Sequence, residues 1–196
     1  AQCLVGSEMC IRDSVATVVN GVITAGTHTG TAIITITHDS GIISEISVTV
    51  TQAGRTATPM VAGGSEFAVA LLDNGEVWTW GSNDSGQLGS DTSSTPLPVM
   101  AEGVSSVVAI AAGADTSIAL TADGSVYTWG GGENTATKVL DNATQVDAKG
   151  EQFTAVSVDG SAYAWNKNET PTKVDGLSNV ITSAAGGNHA MAVLSD

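Results

Sequence analysis

The chain has little positive charge. Six Lys and Arg face 20 Asp and Glu among 196 residues, a formal net charge of −14. Removing residues 1–14 takes away Glu8, Asp13 and Arg12 and leaves 5 basic against 18 acidic residues, so the acidity belongs to the body of the chain. Binding a phosphate backbone needs several Lys or Arg to neutralise charge and release counterions. Nucleic acid and anionic membranes are therefore excluded as expected partners. Long apolar runs are missing too. A membrane-spanning helix needs roughly 18 or more consecutive apolar residues, and the longest apolar-leaning stretch, SSVVAIAAGA (Ser105–Ala114), is strand-sized. No membrane insertion is expected. Aromatics make up only 4% of the residues, so each one has to be accounted for. There are two cysteines, Cys3 and Cys10, both in the opening AQCLVGSEMCIRDS. Beyond that stretch the chain offers no disulfide or thiol chemistry, and redox reasoning gives no compartment.

What is abundant is repetition. VAGGSEFAVALLDNGEVWTWG (Val61–Gly81), IAAGADTSIALTADGSVYTWG (Ile110–Gly130) and VDAKGEQFTAVSVDGSAYAWN (Val146–Asn166) align without a gap, and SAAGGNHAMAVLSD (Ser183–Asp196) begins a fourth copy. Gly75, Gly124 and Gly160 share a column, as do Trp80, Trp129 and Trp165. The fourth copy stops one residue before its expected glycine, so the chain reads as a truncated piece of a longer protein.

Each copy predicts a hairpin. A short apolar strand (AVALL, SIALT, TAVSV) runs into Asn74-Gly75, Asp123-Gly124 or Asp159-Gly160, then into EVWTW, SVYTW or SAYAW. Asn-Gly and Asp-Gly suit a type I′ turn, whose two central residues both need positive φ. On the second strand the period of two places Trp78 and Trp80 on one face and Val77 and Thr79 on the other. Looser links such as SSTPLPVMAEGVSS and NETPTKVDGLSN predict a short edge strand leading to the next apolar strand. About four strands per repeat is the arithmetic of a propeller blade.

AAGADTSIALTADGSVYTWG and the loop WGSNDSGQLG (Trp80–Gly89) resemble the repeats of the regulator of chromosome condensation family. That resemblance implies a β-propeller of seven blades with four strands each, of which this chain would hold about three and the start of a fourth. The family's His before the small-apolar strand appears only as His189, with Phe67, Thr116 and Gln152 in the other copies. The GQLG loop occurs once and shrinks to GGGEN and NKNE in later copies.

Before the repeats, Val15–Gly54 resembles the C-terminal half of a bacterial immunoglobulin-like domain of group 2. It carries that group's ATV…GVITA…GTAIITIT…VTVT pattern, with Asn20-Gly21 and Gly26–Gly30 as punctuation. A complete sandwich of this kind needs about seven strands, so only part of one is expected. The opening residues 1–14 resemble a translated artefact of adaptor sequence found at the ends of environmentally derived reading frames, and are expected not to be native. The competing readings of that stretch are a divergent first strand and a Cys3–Cys10 disulfide or metal pair. The expected organisation is thus 1–14 non-native, 15–54 partial immunoglobulin-like β-sandwich and 55–196 propeller repeats. The fold class is all-β.

The sequence assigns no catalytic, cofactor-binding or metal-ligating residue. His38-Asp39-Ser40 has the letters of a hydrolytic triad, but adjacent residues cannot converge as triad members from distant segments do. Gly130-Gly131-Gly132 follows a predicted strand but precedes no predicted helix, so it is not a nucleotide loop. The carboxylates Asp73, Asp84, Asp123 and Asp159 lack the close oxygen-ligand spacing of a calcium loop; Asp123 and Asp159 read as turn residues. Trp78, Trp80, Tyr127, Trp129, Tyr163 and Trp165 invite a sugar or protein platform. Their recurrence in every copy favours packing between blades, where each ring can bury roughly 150–250 Å².

A non-enzymatic binding or adhesion module is the expected function. It would meet a protein or glycan through variable loops such as Ser82–Ser94 and Gly131–Thr137, as part of a bacterial surface or secreted protein. The family resemblance also admits a regulator of an enzyme, exchange-factor-like or inhibitor-like, or a non-catalytic part of a larger secreted enzyme. Self-association through open blade edges is expected as well, since such edges expose unpaired strands.

Overall fold

The computed structural model describes residues 57–195 in full and, before them, the backbone of four strands. The chain divides into two units, Ala1–Gly54 and Arg55–Asp196. In the first, β1 (Ala16–Val19) and β2 (Val22–Ala25) pair antiparallel with Val19 opposite Val22, so two residues, Asn20 and Gly21, separate them. The strands β3 (Gly30–Thr37) and β4 (Ile43–Val50) pair antiparallel over their whole length. Their Thr/Ile/Val content suits a pleated surface. Ala1–Ser14, with both cysteines, and His38-Asp39-Ser40 lie outside the described residues.

The second unit is a series of antiparallel meanders. Blade 1 comprises β5 (Met60–Gly63), β6 (Phe67–Leu71), β7 (Val77–Gly81) and β8 (Thr95–Met100). Blade 2 comprises β9 (Val107–Ala112), β10 (Thr116–Thr121), β11 (Val126–Gly130) and β12 (Glu133–Leu140). Blade 3 comprises β13 (Ala143–Lys149), β14 (Gln152–Ser157), β15 (Ala162–Asn166) and β16 (Thr172–Lys173). A two-stranded sheet follows, β17 (Val180–Ala185) with β18 (Ala190–Leu194). No described residue is helical.

The first strands β5, β9, β13 and β17 neighbour one another in succession, and each second strand packs on the first strand of the next sheet. This is the blade-on-blade stacking of a propeller, with the fourth strand of each sheet outermost. Burial follows position: β10 is buried throughout, whereas β8 and β12 are largely exposed. The apolar cores lie between sheets. Phe67, Val69, Leu71 and Val77 of blade 1 meet Ile110, Ala119 and Trp129 of blade 2. Ile118, Leu120 and Val126 of blade 2 meet Val146, Phe153 and Trp165 of blade 3. Val156 and Ala162 meet Val180 of the last sheet.

The hairpin turns differ from the type I′ expectation. Gly75, Gly124 and Gly160 have φ of 81°, 86° and 76°, but the Asn or Asp before them is not among the described residues with positive φ. The Gly N–H instead donates to a carbonyl three residues back, Leu72, Thr121 or Ser157, whose own N–H donates to the residue after the glycine. That is a three-residue loop, a type I turn closed by a left-handed glycine. The acid or amide has a separate task. Asp123 accepts from Ser125 N–H at 3.0 Å and Thr121 Oγ1 at 2.5 Å. Asp159 accepts from Ser161 N–H at 2.9 Å and from Ser157 Oγ. Asn74 accepts from Glu76 N–H at 3.0 Å.

These bonds favour the ionised carboxylates. They lower the Asp123 pKa, with the Thr121 hydroxyl the largest cause, and bring Asp159 from 3.8 to about 2, with the Ser157 hydroxyl the largest cause. A carboxyl depressed on folding adds stability that is complete above its unfolded pKa and is lost as pH falls through the folded value. For Asp159 that window runs from about pH 4 down to about pH 2. Asp159→Asn should melt below the natural protein at pH 5, with the gap closing as pH falls to 2. A gap that stays constant across that range would show that the carboxylate charge contributes nothing to the turn.

Each hairpin tip is also fastened to the next sheet. The carbonyls of Gly75, Gly124 and Gly160 accept from Val107, Ala143 and Val180 N–H at 3.1, 2.8 and 3.0 Å. The residues before those donors, Ser106, Asn142 and Asn179, have φ between 55° and 59°. A second set of links joins the turns between first and second strands: Ser65 N–H donates to Ala114 O at 2.9 Å, and Ala114 N–H to Gly150 O at 2.7 Å.

Candidate functional site

The Ser82–Ser94 loop connects β7 to β8, and its polar composition suggests solvent. The structure places its centre in the joint between blades 1 and 2. Leu88 is fully buried, and Gln87, Gly89 and Ser90 are buried beside it. The segment is anchored from both sides. Thr79 Oγ1 of β7 donates to Leu88 O at 2.7 Å. Trp129 Nε1 and Ser117 Oγ of blade 2 donate to Gln87 O at 3.0 and 3.2 Å. Asn83 braces the loop from within, its Oδ1 accepting from Leu88 N–H at 2.9 Å and its Nδ2 donating to Ser90 O at 3.0 Å. Gln87 Oε1 accepts from Ser85 N–H at 2.8 Å. Gly89, at φ 66°, lies against the Trp129 indole; a Cβ there would stand 2.8 Å from Nε1. The Gln-Leu-Gly segment is a plug, and its carbonyls and the Gln87 amide can be buried because they are paired.

Between blades 2 and 3 no such plug exists. Here only Gly131 and Gly132 separate β11 from β12, and the turn leans back on blade 1: Gly132 N–H donates to Ser85 O at 2.8 Å. A cleft of about 430 Å³ is left open, walled by Thr116, Thr128 and Val139 on blade 2 and by Phe153 and Trp165 on blade 3. Trp165 stacks on Phe153 with ring centroids 5.5 Å apart. At the mouth, Lys167 Nζ pairs with Asp115 Oδ2 at 2.6 Å, and Asn168 Nδ2 donates to Gly131 O at 3.3 Å. Glu133 and Glu169 also line it. Thr116 is buried, and its Oγ1 has no hydrogen-bond partner among the described residues.

The aromatic column divides by position. Trp129 and Trp165 are 1% and 4% exposed and fill the joints ahead of their blades, as packing predicts. Trp80 and the paired residues Trp78, Tyr127 and Tyr163 are only half-buried. Trp78 Nε1 donates to Glu76 Oε2 at 3.2 Å. Asp84 accepts from Ser94 Oγ at 3.2 Å, and Asp73 is exposed. His189 is exposed, its ring against Gly186. Among the described residues no three His, Cys, Asp or Glu come together as metal ligands would. On the last sheet Ile181, Met191, Val193 and Leu194 are exposed apolar side chains.

Thr128, Lys167 and Asn168 do not stand out in the sequence as site residues. The signal that could have found the cleft is the shrinkage of GSNDSGQLG to GGGEN in the second copy, while the tryptophan and threonine columns persist through it.

Stacked four-stranded meanders joined in this way define a β-propeller. The sequence profile of the regulator of chromosome condensation (RCC1) repeat matches residues 74–120 and again residues 107–135, so this stretch of blades 1 and 2 is similar to RCC1 repeats. Solved structures share the fold. Human WBSCR16 is 23% identical with a TM-score of 0.60, over 69% of this chain and 44% of that one. Yeast RCC1 (Prp20), solved with Kap60 bound to it, is 20% identical with a TM-score of 0.60, over 76% and 44%. Prp20p from Saccharomyces cerevisiae, described with its binding to Gsp1p and histones, is 20% identical with a TM-score of 0.59, over 76% and 45%. The chain thus spans under half the length of these propellers. No curated protein is a significant match to it.

Proposed function

We propose that the chain is a non-catalytic binding module that meets a protein partner through the loops at the blade ends. We place it in a bacterial surface or secreted protein, with Val15–Gly54 as an immunoglobulin-like spacer. The observation that carries the reading is the division of labour within the repeats. Side chains that recur are committed to turns and sheet-to-sheet packing, and the segments that differ between copies are the connections after each third strand. Loops on a rigid scaffold are where binding residues concentrate. A protein partner is favoured over a glycan because structurally similar propellers are described with protein partners.

The purified chain should be offered to a panel of immobilised extracellular-matrix proteins and to a glycan array. The expected result is saturable binding to a protein target, weakened at least tenfold when Asn168–Pro171 is replaced by Gly/Ser residues, with Lys167 and its ion pair to Asp115 kept. Binding to glycans alone would overturn the choice of partner. Binding to neither, or binding insensitive to the loops, would overturn the module reading.

A further inference from the structure

We infer that the cleft between blades 2 and 3 is a docking slot for an extended peptide of a partner protein, with an aliphatic side chain flanked by small residues. The inference rests on the binding-module reading above and says where and how a peptide is held. Its basis is the joint one blade earlier, where the chain shows what such a space accepts.

In that joint, donors on opposite walls grip consecutive backbone carbonyls. Thr79 Oγ1 binds the carbonyl of Leu88, and Trp129 Nε1 and Ser117 Oγ bind that of Gln87. The leucine between them is fully buried and the following glycine passes flat against the indole. The cleft keeps two of these three donors in the same places, with Phe153 at the Ser117 position. Thr128 occupies the position of Thr79 on the third strand, opposite Ile118 as Thr79 is opposite Val69. Trp165 occupies the position of Trp129, opposite Phe153 as Trp129 is opposite Ser117. Here neither the Thr128 hydroxyl nor the Trp165 indole N–H has a hydrogen-bond partner among the described residues. Thr128 is also half-buried where Thr79 is fully covered. Polar groups near an apolar floor gain most from acceptors that arrive together with the side chain excluding water.

Volume and charge fit the same occupant. About 430 Å³ admits a few residues, within the range of small-ligand sites. Phe153 stands where Ser117 stands in the first joint, so the floor is more apolar and favours an aliphatic side chain. Glu133 and Glu169 line the mouth outside the ion pairs among the described residues, while Lys167 is held by Asp115. The peptide's flanks should therefore be neutral or basic. This chain's own Gln-Leu-Gly segment is already seated in the first joint, so the occupant assigned to the slot is a peptide of a partner protein.

The probe is the acetylated, amidated hexapeptide SGQLGS, the sequence of residues 85–90, titrated into the whole chain. The readout is the indole N–H resonance of Trp165, assigned by its loss in Trp165→Phe. The expected result is a saturable shift with a dissociation constant of about 0.1–1 mM, weak because a flexible peptide loses conformational freedom on binding. SGQDGS should produce no shift. Thr128→Val, which keeps side-chain shape and removes the hydroxyl, should weaken binding about fivefold. Replacing Gly131-Gly132 with Ser82–Ser94 should fill the cleft, raise the melting temperature and abolish the peptide shift.

No Trp165 shift at 5 mM peptide (about the ceiling for a meaningful site), an equal shift with SGQDGS, or undiminished binding by the filled variant would overturn the slot. Failure of the peptide alongside loop-dependent capture of a partner protein would remove the slot and leave the module reading intact. A Trp165 shift with no protein captured would do the reverse.

Discussion

Trp129→Ala should destabilise the propeller unit by about 3–5 kcal/mol, the cost of removing a large buried aromatic. The ring is buried to 1% exposure in the cluster with Val107, Ile110 and Leu88, and it reaches both Gly89 and the Gln87 carbonyl. Its removal leaves a void in the joint and deletes one of the two bonds to that carbonyl, the other coming from Ser117. Trp78→Ala is the matched control. That residue is half-buried and its indole N–H reaches only Glu76, so the expected loss is about 1 kcal/mol or less. Urea titrations of the two variants, followed by far-ultraviolet circular dichroism, provide the comparison. Equal losses would mean that the aromatic column is not a packing device in the sense that its burial indicates.

Gly89→Val should cost about 2–6 kcal/mol, from two additive sources. At φ 66° a β-branched residue is strained by about 1–3 kcal/mol. Its side chain would also overlap the Trp129 indole, from which even a Cβ stands only 2.8–2.9 Å, and overpacking of this kind costs about 1–3 kcal/mol more. The joint has no slack on the other side, where Ala101 Cβ would lie 3.3 Å away. Trp129 fluorescence should shift to the red as the plug is expelled. Near-natural stability with unchanged emission would show that the loop reseats elsewhere and is not a fixed plug. Combining Gly89→Val with Trp129→Ala should cost less than the sum of the two, because the truncated residue removes the clash; residues in contact couple in this way.

The periodic part of the fold was legible in the sequence. Glycine and tryptophan columns at fixed spacing gave the hairpins at 61–81, 110–130 and 146–166, and three four-stranded sheets stand there. The turn type was not legible. Asn-Gly and Asp-Gly serve both a type I′ turn and a type I turn closed by glycine. In all three copies the side-chain oxygen of Asn74, Asp123 or Asp159 accepts from the N–H two residues on, a bond made without positive φ at that residue. Nor was the plug legible. GSNDSGQLGS has the composition of a surface loop, and only the pairing of Asn83, Gln87 and the threonine and tryptophan donors makes its burial tolerable. The cleft was harder still, being a shortened connection in one repeat set against a tryptophan supplied by the next.

The links from Ser65 to Ala114 and from Ala114 to Gly150 use peptide groups alone. Three different side chains occupy that column, so the coupling between neighbouring sheets does not depend on which residue sits there. A stack joined through its main chain can gain or lose a copy, or let one drift in composition, while the register from sheet to sheet is preserved. Sheet-to-sheet stability then accrues roughly one neighbour at a time. Such an assembly separates two kinds of hereditary change: substitutions in the connections alter the surface at each joint, and duplications alter how many joints there are.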